Sequence, residues 1–148
     1  AGEGFSSNDA NHISGPSRTG EGLYTAIDQV MKRSSVPVDF ISAHGTATLY
    51  NDEMESIAIT RAGMQDIPVN SFKGYWGHTL GAAGVIESAM CVHCLRENVI
   101  MPTKGYHEPG ITHPVAVVDR VIYREMRHVL KIASGFGGCN VALLFSKL

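Results

Sequence analysis

Apolar positions along the chain change period several times, and the changes mark its elements. Leu23, Ile27, Val30 and Met31 recur at helical spacing, which predicts a helix over residues 20–33. Ser34, Ser35 and Pro37 end it. Residues 38–43 form a short apolar run that reads as a buried strand. Met54, Ile57, Ala58 and Ala62 carry a second helix, with Asn51 as its predicted N-cap. Asp52 and Glu53 fall in its first turn, where the helix dipole favours carboxylates, and Gly63 can close it. Residues 69–71 read as a short strand. Residues 80–96 are apolar nearly all round, which predicts a helix lying in the core. Pro102, Gly105, Pro109, Gly110 and Pro114 mark a long loop, and residues 115–118 a further strand. Residues 129–134 and 141–146 read as two strands joined by "GFGGC". The polar, glycine-rich residues 1–16 read as a loop.

Helix and strand alternation predicts an α/β fold with helices packed on a mixed sheet. Three polar clusters each follow a strand: "HGTAT" (residues 44–48), "FKGYWGH" (72–78) and "GFGG" (135–138). Ligands of open α/β sheets bind beyond the strand carboxyl ends, so these loops are expected to share one site.

Composition narrows the class. The 148 residues suffice for one core, and the hydrophobic fraction of 44% is that of a globular protein. Net charge is −2 with no Lys/Arg block, which points away from nucleic acid and from anionic membrane surfaces. Glu87, Ser88 and His93 interrupt the longest apolar run, so no membrane span is expected. No signal-peptide pattern is visible. Three cysteines, an odd number, suit a reducing compartment, and the cytoplasm is the expected location. A start at Ala1 without Met suggests a piece of a longer chain.

The clusters leave several chemistries open. Gly45 beside His44 permits close approach of backbone or ligand. Thr46 and Thr48 alternate, so in an extended segment their hydroxyls form a polar rail for a narrow, amide-bearing ligand. His44 and His78 could be structural, general bases, metal ligands, or two N–H donors of an oxyanion hole. Lys73 and Glu55 could form a buried pair, or remain solvated charges. Glu87, on an otherwise apolar helix, calls for a partner or a cation. Cys91, His93 and Cys94 invite a zinc reading, but both cysteines fit better as small buried hydrophobes. Cys139 reads as packing at a strand start, and His12, His107, His113 and His128 as surface.

Taken together, "HGTATLYNDEMES", "NSFKGYWGHTLGAAGVIESA" and "ASGFGGCNVALLF", in this order and at these intervals, resemble the β-ketoacyl-acyl-carrier-protein synthases, condensing enzymes of the thiolase fold. The segment "GFSSNDANHISGPSRTGEG" resembles the stretch that precedes their first helix in this region. The resemblance covers essentially the whole chain, and what it covers is the C-terminal half of such an enzyme. It implies a thiolase-like α/β half-domain over residues 1–148, with the half bearing the nucleophilic cysteine absent.

The activity it implies is decarboxylative Claisen condensation. An acyl group sits on a cysteine thiolate, malonyl carrier thioester loses carbon dioxide, and the carbanion attacks the acyl-cysteine. His44 and His78 match the paired histidines of elongating synthases. Thr46 and Thr48 match residues that hold the phosphopantetheine arm, Lys73 the lysine near the active site, and Glu55 its acidic partner. Phe136 matches a gating phenylalanine, and Gly135, Gly137 and Gly138 the mobile glycines around it. Glu87 matches a cation-binding glutamate. However, Ser42 stands where asparagine is common, and Lys131 and Ile132 replace a polar pair, which argues against a metal. No bound cofactor is expected beyond the phosphopantetheine arm of acyl carrier protein, the expected partner. The full-length form is expected to be a homodimer. None of the three cysteines matches the nucleophile, so this piece is not expected to condense alone. Two alternatives remain: a non-catalytic partner subunit of the chain-length-factor kind, against which both retained histidines argue, and a metal-binding module on Cys91, His93 and Cys94.

Overall fold

Along β-strands successive side chains point to opposite faces, so a strand apolar at every position must be covered on both sides. Residues 129–132 are buried at every position, apolar but for Lys131, and the computed structural model, which describes residues 2–148, places them in the middle of a sheet. In chain order the elements are β1 (Gly2–Asn8), α1 (Glu21–Ser34), β2 (Phe40–Ser42), α2 (Leu49–Arg61), β3 (Val69–Asn70), α3 (Lys73–Trp76), α4 (Ala83–Glu97), β4 (Val99–Ile100), β5 (Ile122–Tyr123), β6 (His128–Gly135) and β7 (Cys139–Ser146). Five strands form a mixed sheet in the order β1-β7-β6-β2-β3. β2 runs parallel to both β3 and β6, whereas β7 is antiparallel to β6 and to β1. β4 and β5 pair separately.

The pleat divides the core in two. Leu23, Ile27 and Val30 of α1 and Met54, Ala58 and Ile59 of α2 pack with Ile41, Leu130 and Ile132 on one face. Cys91, Cys94 and Leu95 of α4 pack with Phe40, Phe72 and Val129 on the other. The alternation therefore turns Ser42 and Lys131, which are register partners in β2 and β6, toward α4. Because β2, β3 and β6 are mutually parallel, the three polar clusters leave their strands at the same edge of the sheet.

Four expectations need correction. Residues 2–8 are not loop: they form edge strand β1, held by the ladder to β7 rather than by any strand propensity of their own. Residues 115–118 supply one parallel bridge, Val69 to Val117, and no strand. α4 is not wholly in the core. Its Ala83, Glu87, Cys91, Cys94 and Leu95 stripe is buried, while Val85 is 74% exposed and Val92 42%. An all-round apolar helix reports two coverable faces, and this chain covers one. Finally, α2 begins at Leu49 with Thr48 before it, and the Asn51 side chain bonds Asp52 and Glu55 instead of capping. No helix among the described residues is long and apolar enough to cross a membrane.

Candidate active site

His44 follows β2, and its backbone is fixed before its ring is considered. Its N–H donates to Glu55 Oε1 (2.6 Å), and the next N–H, of Gly45, donates to Oε2 (2.7 Å). Glu55 is buried on α2 and also accepts from Asn51 Nδ2. Gly45 is required there: φ is +49°, and a Cβ would lie 2.5 Å from that of Ser71.

Glu55 is thus not the partner of Lys73. Lys73 projects from α3 and donates to Glu87 Oε1 (2.6 Å), to the His44 carbonyl, and to His44 Nδ1 at 3.1 Å. Three ammonium protons meet three acceptors. An ammonium cannot accept, so His44 Nδ1 must, and the ring proton resides on Nε2. The other side of Glu87 meets Lys131, whose Nζ lies 2.6 Å from Oε2 and donates to the Ala43 carbonyl at 3.0 Å. The Oε2 contact is an ion pair without good hydrogen-bond alignment. Glu87, read as a cation-binding candidate, thus faces two ammonium groups.

His44 is 7% exposed. Burial first, and then the charges of Lys73 and Lys131, lower its pKa to about 3. Burial also pulls Lys73 below its usual value, against the pull of Glu87. It raises Glu55, although the two backbone N–H groups oppose this.

His78 arrives from the loop after α3. Its ring centroid lies 5.1 Å from that of His44, edge-on at 85°. Leu80, held left-handed at φ +52°, folds its N–H back onto His78 Nδ1 at 3.0 Å. That donor makes Nδ1 an acceptor and again leaves the proton of a neutral ring on Nε2. Two Nε2–H donors on adjacent rings can stabilise one developing oxyanion. The glycines around His78 open space: Cβ atoms at Gly77, Gly81 and Gly84 would meet nothing within 4 Å. They do not pack the following helix against the sheet.

Thr46 and Thr48 do face the same way, but through a left-handed Ala47 (φ +57°) rather than an extended rail, and their hydroxyls bond each other at 2.7 Å. Gly45, Thr46, Lys73 and His78 border a cavity of about 590 Å³ that residues 103–111 also line. Phe136 sits 81% exposed at the turn between β6 and β7. Gly137 and Gly138 take positive φ, whereas Gly135 is extended and needs no glycine. This turn is tethered. Asn8 Nδ2 donates to the Gly137 carbonyl, Asp9 N–H to the Gly138 carbonyl, and Gly137 N–H to the Ile13 carbonyl.

Cys91 and Cys94 are buried while His93 between them is exposed, so the three cannot converge on a metal. Burial raises both thiols, Cys91 to about 12, which disfavours the thiolate a metal needs. Cys139 is exposed rather than packed, near Asn8. Among the described residues no group of three His, Cys, Asp or Glu is arranged to hold a metal.

Sequence reasoning missed the role of Lys131, seen only as one of two residues that replace a polar pair and argue against a metal. The signal was present: a lysine inside "VLKIA" can be buried only with a counter-charge. It also missed Asp9, whose carboxylate accepts from Ser17 N–H, Gly22 N–H and Asn140 Nδ2.

The sheet edge thus brings two imidazoles together over a lysine–glutamate pair, and comparison with known proteins gives the family. The chain matches the β-ketoacyl synthase, C-terminal domain, over residues 1–107, and it belongs to that family. It is 35% identical over 148 residues to 3-oxoacyl-acyl-carrier-protein synthase 2 of Rhizobium meliloti (strain 1021), covering 95% of this chain and 35% of that protein. To the tetracenomycin polyketide synthase ketoacyl synthase alpha subunit of Streptomyces glaucescens it is 38% identical, over 86% of this chain and 30% of that one. The β-ketoacyl synthase of Burkholderia phymatum STM815 superimposes over 98% of this chain and 36% of its own, with a TM-score of 0.90 at 26% identity. The fold is the C-terminal half of their thiolase-like fold, and the chain spans about a third of the length of these relatives.

Proposed function

We propose that this chain is the C-terminal part of an elongating β-ketoacyl-acyl-carrier-protein synthase, and that His44 and His78 hold the enolate oxygen formed when malonyl carrier thioester loses carbon dioxide. The observation that carries this reading is the pair of rings 5.1 Å apart, both with Nδ1 occupied as an acceptor. On decarboxylation the C–C bond electrons pass into the thioester carbonyl, and its oxygen takes up the charge. The two Nε2–H groups donate to that oxygen. The carbanion then attacks an acyl-cysteine, the tetrahedral intermediate collapses, and the cysteine leaves as thiolate.

That cysteine comes from the remainder of a longer polypeptide. Cys91 and Cys94 are buried with raised thiols, and Cys139 follows the wrong strand turn, so the piece alone is inactive. Thr46 and Thr48 receive the phosphopantetheine arm of acyl carrier protein. Phe136 gates the entrance on left-handed Gly137 and Gly138, with Gly135 before it. Lys73 and Glu55 set the position of His44, through its ring and its backbone respectively. The full-length protein pairs with a second copy and works in the cytoplasm, where free cysteines persist. A solved ketosynthase neighbour, 29% identical, is in complex with an acyl-carrier protein, which supports the carrier as partner.

The test uses the complete polypeptide with His44→Ala and, separately, His78→Ala. Each is expected to slow malonyl-thioester decarboxylation and condensation by about 10²–10³-fold, the usual cost of one oxyanion donor. Undiminished rates in both variants would overturn the proposal.

A further inference from the structure

Two lysines share one buried carboxylate, and only one of them touches a histidine. Lys131 and Glu87 are each 1% exposed, and Lys73 lies beside them. Burying a second ammonium is costly unless it is paired and bonded. Lys131 meets Glu87 Oε2 and donates to the Ala43 carbonyl, with the Ser42 carbonyl at 3.4 Å. Those carbonyls belong to the two residues that lead into His44. Lys131 therefore touches both the end of β2 and the carboxylate on α4, and bridges them from β6.

Four charged side chains surround His44 most closely under this arrangement. Lys73 of α3 and Lys131 of β6 supply two positive charges; Glu87 of α4 and Glu55 of α2 supply two negative ones. Asp52 of α2 lies at the rim, and His78 faces the ring from its loop. Glu87 with Lys73 alone would form a complete pair, but its second oxygen would be free to rotate toward either neighbour. With Lys131 on Oε2, the carboxylate is clamped and Oε1 points at Lys73.

We propose that Lys131 is a positioning residue, which clamps Glu87 so that Lys73 is held against His44 Nδ1 and the His44 proton stays on Nε2. The proposal rests on the condensing role of His44 and deepens it. It assigns Lys131 no contact with substrate. Its effect passes through Glu87 and Lys73, which predicts a loss in turnover rather than in substrate affinity.

The experiment uses the complete polypeptide and two variants, Lys131→Met and Lys131→Arg. Lys131→Met leaves Glu87 with Lys73 as a complete pair. It is expected to lower kcat for condensation at least about tenfold, with KM for the malonyl thioester within about twofold. The acid limb of its pH profile should move to higher pH, because a positive charge near His44 is gone. Lys131→Arg keeps a cation on Glu87 Oε2 and is expected to hold kcat within about threefold of wild type, with the acid limb in place. A folded Lys131→Met variant with unchanged kcat and pH profile would overturn the proposal, as would a folded Lys131→Arg variant with kcat as low as that of Lys131→Met. If His44→Ala itself leaves condensation intact, the condensing role fails, and that result is separate from either outcome for Lys131.

Discussion

The two histidines arrive at the same place by different means. His44 is held from five elements: β2 carries it, α2 receives its backbone N–H, α3 contacts its ring, and α4 with β6 anchors that contact. His78 is exposed and held by a single bond from Leu80 N–H two residues on. One ring is specified by the whole fold and the other by one turn. A ring that must stay neutral beside two ammonium groups needs a closed, counter-charged surrounding. Under the proposed function the other ring meets an incoming thioester and needs an open one.

This contrast is tested most severely at Glu87. Glu87→Ala leaves two buried ammonium groups without a carboxylate and should cost about 3–5 kcal/mol, read by chemical denaturation. A loss under about 1 kcal/mol would mean that the cluster is far wetter than its burial indicates. Asp9→Ala comes next. It strands Ser17 N–H, Gly22 N–H and Asn140 Nδ2 beside the Phe136 turn, and about 1–3 kcal/mol should be lost. The same variant should expose residues 135–138 to proteolysis, read by the cleavage sites.

The pH response is smaller and carries a sign. The folded-state pKa of His44 lies near 3 against an ordinary 6.5, so between these values the unfolded chain binds a proton the folded chain does not. Its contribution to stability is complete above about pH 6.5 and is lost as the pH falls toward 3. Glu55, raised by burial, contributes with the opposite slope. The difference between wild type and His44→Gln isolates the histidine: the variant's denaturation midpoint should fall less steeply on acidification. Smallest of all is His78→Ala, which should leave stability within about 0.5 kcal/mol, as expected of an exposed side chain with one local bond. A larger loss would erase the contrast between the rings.

The sequence made the three long helices, the central strands and the three polar clusters legible because apolar period and glycine placement are local signals, but it read the short α3 as loop. It did not make β1 legible, since "GEGFSSN" becomes a strand only through its ladder with β7. Nor did it pair the charges correctly. Glu55 on α2 is the acidic residue that looks like the partner of Lys73 on α3, yet the backbone N–H groups of His44 and Gly45 claim it. Glu87 and Lys131 lie far apart in the chain, on opposite sides of a packing layer, and only the pleat of β6 against α4 joins them. Pairings set by tertiary register leave no local trace.

The tautomer of the two rings is the point on which the chemistry turns, and nitrogen NMR of histidine-labelled protein reads it directly. The account predicts the proton of the neutral ring on Nε2 in both histidines, and His44 still neutral at about pH 5, where a free histidine is charged. A proton on His44 Nδ1, or an imidazolium signal from His44 at that pH, would contradict it.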